Sequence, residues 1–131
     1  MAIARTSIRE VDPVWQRICD EGRDAIEKEP LIGALIHAGV LNHSSFEDAL
    51  GYRIAMKLAS TEMSEQTVRD IATNAYEAEP ELALSARADL VAIFDRDPAC
   101  HRFLQPLLFY KGFQAVQAYR LGHWLWENGK K

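Results

Sequence analysis

Cysteine is scarce in this 131-residue chain. Cys19 and Cys100 are the only two, and they match neither a zinc spacing nor a disulfide-rich scaffold. A reducing, cytoplasmic compartment is the expectation. Long apolar runs are missing too: nothing approaches the roughly 18 consecutive apolar residues of a membrane span. Met1–Glu10 carries no apolar core of the signal-peptide kind. Basic charge is in deficit, with fifteen Lys and Arg against nineteen Asp and Glu for a formal net charge of −4. No long-range field therefore draws in phosphate backbones or anionic lipid, and neither nucleic acid nor membrane is expected as a partner. No Walker or Rossmann glycine pattern offers a nucleotide phosphate a cradle. Low-complexity linkers and internal repeats of about twenty residues or more are likewise missing.

What is present is helical periodicity. Hydrophobic residues make up 48% and charged residues 26% of the chain, a globular balance at the length of one domain. Apolar residues recur every three to four positions, and nowhere do they alternate long enough for a strand. Asp12 before Pro13 reads as an N-cap, opening a helix to about Glu29 whose inner face is Trp15, Ile18, Gly22, Ala25 and Ile26. Pro30 opens a shorter helix through Leu31, Ile32, Leu35, Ile36 and Val40, which Asn42 and His43 end. Ser45 and Asp48 have capping-box spacing ahead of the row Phe46, Leu50, Ile54, Leu58, with Glu47, Arg53 and Lys57 on the other face. Ser64 caps a fourth helix with Val68, Ile71, Ala72, Ala75 and Tyr76 inward. Pro80 restarts the chain into a fifth carrying Leu82, Ala86, Leu90, Val91 and Phe94. The last helix runs from Pro106 to about Asn128, with Gly129 as its stop. It is rich in aromatics and apolar on more than one side, which predicts contacts beyond its neighbouring helices. The expected fold is all-α, a compact domain of five to seven helices, ordered over 10–128 and ending in a long aromatic-rich helix.

Chemistry-bearing residues are sparse. His37, His43, His101 and His123 are scattered. His43 with Glu47 and His123 with Glu127 are each four apart, two ligands where zinc takes three or four, so no metal site is expected. Neither cysteine sits in a nucleophile signature. Asp95, Arg96, Asp97 and Pro98 fall at a helix junction, and an Asp before Pro reads first as an N-cap, as at Asp12.

From Arg96 onward the sequence carries RDPA at 96–99, PLL at 106–108, YKGF at 110–113 and QAYRLGHWLW at 117–126. Weaker matches are EAEPEL at 77–82 and ALGYRIAMKLAS at 49–60. With these motifs the chain resembles the helical N-terminal domain of bacterial serine O-acetyltransferases, over nearly all of 1–131. The resemblance implies a left-handed β-helix of hexapeptide repeats following such a domain, with acetyl-CoA bound between coils of adjacent subunits. No hexapeptide coil occurs in this sequence, which stops at Lys130 and Lys131 where the first coils would be approached. The reaction implied is acetyl transfer from acetyl-CoA to the hydroxyl of L-serine, giving O-acetyl-L-serine for cysteine biosynthesis, with a β-helix histidine as general base.

The family's RDPA aspartate helps hold the substrate, which makes Asp97 the expected substrate-binding residue, pairing with the serine ammonium. Arg96, Pro98 and Ala99 are expected to shape its loop. No catalytic residue, metal or cofactor is expected in this chain, and acetyl-CoA is the co-substrate of the full-length enzyme. The resemblance also implies a homo-oligomer, a dimer of trimers in the family and a dimer through N-terminal helices for this chain. O-acetylserine sulfhydrylase, which the family binds through a C-terminal tail, is not an expected partner here. Two other readings remain. One is a free-standing helical interaction module modulating the assembly of an intact enzyme; the other is an unrelated bundle binding a small apolar ligand.

Overall fold

The computed structural model describes residues 12–129. Met1–Glu10, read above as lacking a signal peptide, lies outside them, as do Lys130 and Lys131. Seven α-helices and, among the described residues, no strand make up the fold. They are α1 (Pro13–Lys28), α2 (Gly33–Ile36), α3 (Phe46–Leu58), α4 (Glu65–Ala78), α5 (Glu81–Arg96), α6 (Leu104–Phe109) and α7 (Lys111–Glu127). The all-α expectation holds. No described helix is long and apolar enough to cross a membrane.

Three helix starts follow the capping signals. Asp12 Oδ1 accepts from the amides of Val14 at 3.1 Å and Trp15 at 3.2 Å, and Ser45 and Ser64 accept from the amides of Asp48 and Thr67, each at 3.1 Å. Only the forward half of the Ser45 capping box forms. The Asp48 carboxylate turns instead to His43, whose Nδ1 lies 2.6 Å from Asp48 Oδ2 and whose Nε2 lies 2.8 Å from the Ala38 carbonyl. His43 thus bonds to Asp48 rather than pairing with Glu47, and both contacts are hydrogen bonds only when both ring nitrogens carry protons.

The second predicted helix is three short pieces. A 3₁₀ turn, Pro30–Ile32, leads into α2, and a π turn, His37–Leu41, follows it. Gly39 sits within the widened turn, where there is no room for a side chain. A Cβ there would stand 2.6 Å from Arg53 Nη2 and 2.7 Å from Leu108 Cδ2, so the bare backbone lets α3 and α6 close over it. Gly39→Ala is expected to destabilise the fold by about 1–3 kcal/mol through overpacking, read as a lower thermal midpoint. An unchanged midpoint would show that Arg53 swings aside at no cost. The changed path also exposes Leu31 and Leu35, while Ile36 and Val40 stay in the core.

The core is built from the predicted stripes. Ile18, Phe46, Leu50, Ile54, Val68, Ala72, Ala75, Ala86 and Leu90 are all buried, and Leu107, Phe113, Leu121 and Trp124 close it from the C-terminal side. Each fully buried Leu, Ile or Phe contributes about 1.5–3 kcal/mol of transfer free energy. The aligned row on α3 ends one turn early, since Leu58 is half exposed. Small residues let α3 and α4 approach closely: a Cβ on Gly51 would lie 3.1 Å from that of Ala72.

One ion cluster ties three helices together. Arg87 of α5 donates to Asp12 Oδ2 from Nε at 3.0 Å and Nη2 at 2.5 Å, and its Nη2 also reaches Glu47 of α3 at 3.1 Å. Glu47 therefore belongs to an interhelical contact and not to a free solvent face. Burial alone would raise the Asp12 carboxyl, but Arg87 and the two capping amides outweigh it and hold the group below its ordinary value. Burial likewise opposes the charge on Arg87, and its two carboxylate partners more than offset that.

The long terminal helix is two helices. Tyr110 takes an extended conformation, φ −91° and ψ 104°, between α6 and α7. The break lets each helix present its own apolar side to the core: Leu104, Leu107 and Leu108 from α6, and Phe113, Leu121 and Trp124 from α7. Much of the aromatic surplus still faces outward, with Phe109, Tyr119 and Trp126 each more than half exposed.

Candidate functional site

Asp97 stands where α5 ends. Its amide closes the helix on the Ile93 carbonyl at 2.9 Å, and its backbone then turns extended. The side chain does not cap a following helix, as its place before Pro98 suggested. Oδ1 instead accepts from the Ala99 amide at 2.9 Å, while the Asp97 carbonyl accepts from the Cys100 amide at 2.9 Å. The physical reason is that no helix starts at Pro98: residues 98–99 form a turn, α6 begins only at Leu104 without a side-chain cap, and Gln105 Oε1 reaches back to take the amides of His101 at 2.6 Å and Arg102 at 2.7 Å in the connecting segment.

That turn is fastened to α1. Arg102 donates to the Glu21 carbonyl at 2.8 Å and to Asp24 at 2.7 Å, and Glu21 Oε1 accepts from the Leu104 amide at 3.1 Å. Phe103 meets Phe94 edge to face at 4.9 Å, and the Arg17 guanidinium lies 3.9 Å from the Phe103 ring centre. The carboxylate is thus held on a supported turn, half buried, and among the described residues no basic side chain pairs with it.

Asp97 opens onto a groove of about 790 Å³ between α5 and α7. Asp89, Ile93 and Arg96 line one wall, Gly112, Phe113, Val116 and Arg120 the other, and Pro98 and Tyr110 the end. Deeper in, Asp89 Oδ2 accepts from Arg120 Nη1 at 2.6 Å and Gln117 Nε2 at 2.9 Å, and Gln117 Oε1 accepts from the same Arg120 nitrogen at 2.9 Å. Arg120 is thereby neutralised and fixed. The Tyr110 phenol is pushed above its ordinary value by desolvation first, then by Cys100 and by the negative charge of Asp97.

This arrangement offers an ammonium group an anionic anchor beside an apolar wall. The motif reading singled out Asp97, and its neighbours Arg96, Pro98 and Tyr110 share the groove. Gln117 and Arg120 fall within the QAYRLGHWLW motif at 117–126 without being given a role there, whereas Asp89, about thirty positions away on another helix, lies outside every motif. His123 and Glu127 approach only to 4.0 Å. No His, Cys, Asp or Glu group suited to a metal occurs among the described residues.

Comparison with known proteins gives a single family. Residues 14–118 match the sequence model described as "Serine acetyltransferase, N-terminal". The chain is 42% identical over 125 residues to serine acetyltransferase of Escherichia coli strain K12, covering 95% of this chain and 46% of that protein. Among solved structures, serine acetyltransferase in complex with coenzyme A from Brucella abortus strain S19 superposes with a TM-score of 0.88 at 40% identity, over 95% of this chain and 50% of that one. The Neisseria gonorrhoeae enzyme in complex with serine gives a TM-score of 0.86 at 35% identity, over 93% and 51%. The chain spans about half the length of the relatives it matches. A matched family model across most of the sequence, with the same helical fold in the solved relatives, makes this chain a member of the serine acetyltransferase N-terminal domain family.

Proposed function

We propose that this chain is the substrate-side and assembly domain of a cytoplasmic serine O-acetyltransferase, the whole of 1–131 acting as one unit. Asp97 pairs with the ammonium of L-serine and orients its hydroxyl, a positioning effect. In the reaction a base takes the hydroxyl proton as the oxygen attacks the thioester carbonyl of acetyl-CoA, and coenzyme A leaves as the thiol. The base and the acetyl-CoA site belong to the other half of the enzyme. The single observation that carries the reading is the supported, unpaired carboxylate of Asp97 at the end of the groove. Self-association of the chain, at least to a dimer, belongs to the same reading.

The test is a chimera in which 1–131 is joined to the remaining half of the E. coli relative. It is expected to form O-acetylserine from serine and acetyl-CoA, whereas the 131-residue protein alone is expected to show no turnover. A folded chimera without activity, or turnover by the isolated chain, would overturn the proposal.

A further inference from the structure

A second groove runs along the other side of α7. Lys111, Gln114, Ala115 and Ala118 stand at i, i+3, i+4 and i+7, one stripe of the helix, whereas Gly112, Phe113, Val116 and Arg120 of the Asp97 groove fall on the opposite side. Ile54, Lys57 and Leu58 repeat the spacing on α3, and the two rows enclose about 370 Å³. That volume lies within the range of small-molecule sites, roughly 300–1,000 Å³. Leu58, half exposed at the end of the α3 row, forms part of its wall.

Two features set the chemistry of this groove. Its charge is of one sign: the exposed Lys57 and Lys111 line it from the two helices, and no acidic residue among the described ones does. Of the three lysines among the described residues, only Lys28 has a carboxylate partner, Asp24. In a chain of net charge −4, two ammonium groups without counter-charges make a local anion site rather than a general field. The second feature is an orphan acceptor. Gln114 is 4% exposed, and its Nε2 donates to the Leu107 carbonyl at 2.9 Å, but its Oε1 is buried with no hydrogen-bond partner. Buried polar atoms are nearly always satisfied. Turning the amide over would set its oxygen against the Leu107 carbonyl, so the domain itself offers no relief. Gln114 lines the groove, and a donor carried into the groove supplies the missing bond.

We propose that the groove between α3 and α7 binds a small apolar carboxylate that carries a neutral N–H, of the class of N-acylated apolar amino acids. The carboxylate pairs with Lys57 and Lys111, the apolar side chain lies against Ile54, Leu58, Ala115 and Ala118, and the amide N–H donates to Gln114 Oε1. A free amino acid fits less well, because its ammonium would be brought against two lysines. The site is separate from the Asp97 groove, which offers a carboxylate instead, and it does not depend on the serine reading.

An NMR titration of the 131-residue protein with N-acetyl-L-phenylalanine tests it. A dissociation constant on the order of 1 mM or tighter is expected, with shift changes centred on α3 and α7. N-acetyl-L-phenylalaninamide, which lacks the anion, and N-acetylglycine, which lacks the apolar group, are each expected to bind about tenfold more weakly. Lys57→Gln combined with Lys111→Gln is expected to weaken the acid about tenfold, to leave the neutral amide unchanged, and, at exposed positions, to leave thermal unfolding unchanged. Gln114→Leu removes the acceptor and weakens the acid about threefold or more. Because Gln114 is buried, Ala115→Phe serves beside it: at an exposed position, the ring fills the groove from the solvent side and abolishes binding in a folded protein. No response at about 20 mM acid, which would leave the groove to a protein partner, overturns the proposal. So do shift changes centred on the Asp97 groove, or equal affinity for the acid and its amide.

Discussion

Replacing Asp97 with alanine in the active chimera is expected to raise KM for L-serine roughly tenfold to a hundredfold, since a hydrogen bond to a charged group is worth about 1.5–3 kcal/mol. KM for acetyl-CoA is expected to stay within about twofold, because in the proposed role this residue contacts the amino acid alone. Alanine also removes the acceptor for the Ala99 amide, so part of any loss could come from a loosened turn. Asp97→Asn separates the two effects. It keeps an oxygen for Ala99 and deletes only the charge, and the same rise in serine KM is expected. Unchanged serine kinetics in both variants would remove Asp97 from the site.

The second large effect is on stability. Arg87→Met leaves Asp12 and Glu47 without their shared cation, and loss of one partner from a partly buried cluster costs about 1–3 kcal/mol. For a domain of this size that lowers the melting temperature by roughly 4–10 °C. The cluster also fixes the sign of the acid response. Asp12 titrates below its ordinary 3.8 in the folded chain, so its contribution is complete at neutral pH and is lost as pH falls through the folded value. Asp12→Asn is expected to lower stability at pH 7 and to flatten its decline as pH falls below the ordinary carboxylate value. A decline as steep as in the wild type would show that other carboxylates carry it.

Most of the helical layout is legible in the sequence because capping and periodicity are local. Asp12, Ser45 and Ser64 bond to amides two or three residues on, and the apolar rows on α3, α4 and α5 reach the core largely as their spacing predicts. The misses have non-local causes. Gly39 in the π turn has to be bare because residues fourteen and about seventy positions away close over it. The break at Tyr110 falls inside an apolar run with no proline or glycine at the break itself, so only the two helices' different buried sides reveal it. Asp12–Pro13 and Asp97–Pro98 are the same dipeptide with different outcomes, because a helix starts at Pro13 whereas Pro98 enters a turn, and the next helix begins only at Leu104. At the site, Asp97 is readable from its motif, whereas the Asp89 and Arg120 pair requires the packing of α5 on α7.

Asp12 also sets where the molecule can be trimmed. The family match begins at residue 14, and a boundary cut there would discard the residue that both caps α1 and receives Arg87. A shortened polypeptide starting at Val14 would leave a guanidinium facing Glu47 alone and a fraying first turn. The smallest autonomous version of this domain therefore has to begin no later than Asp12.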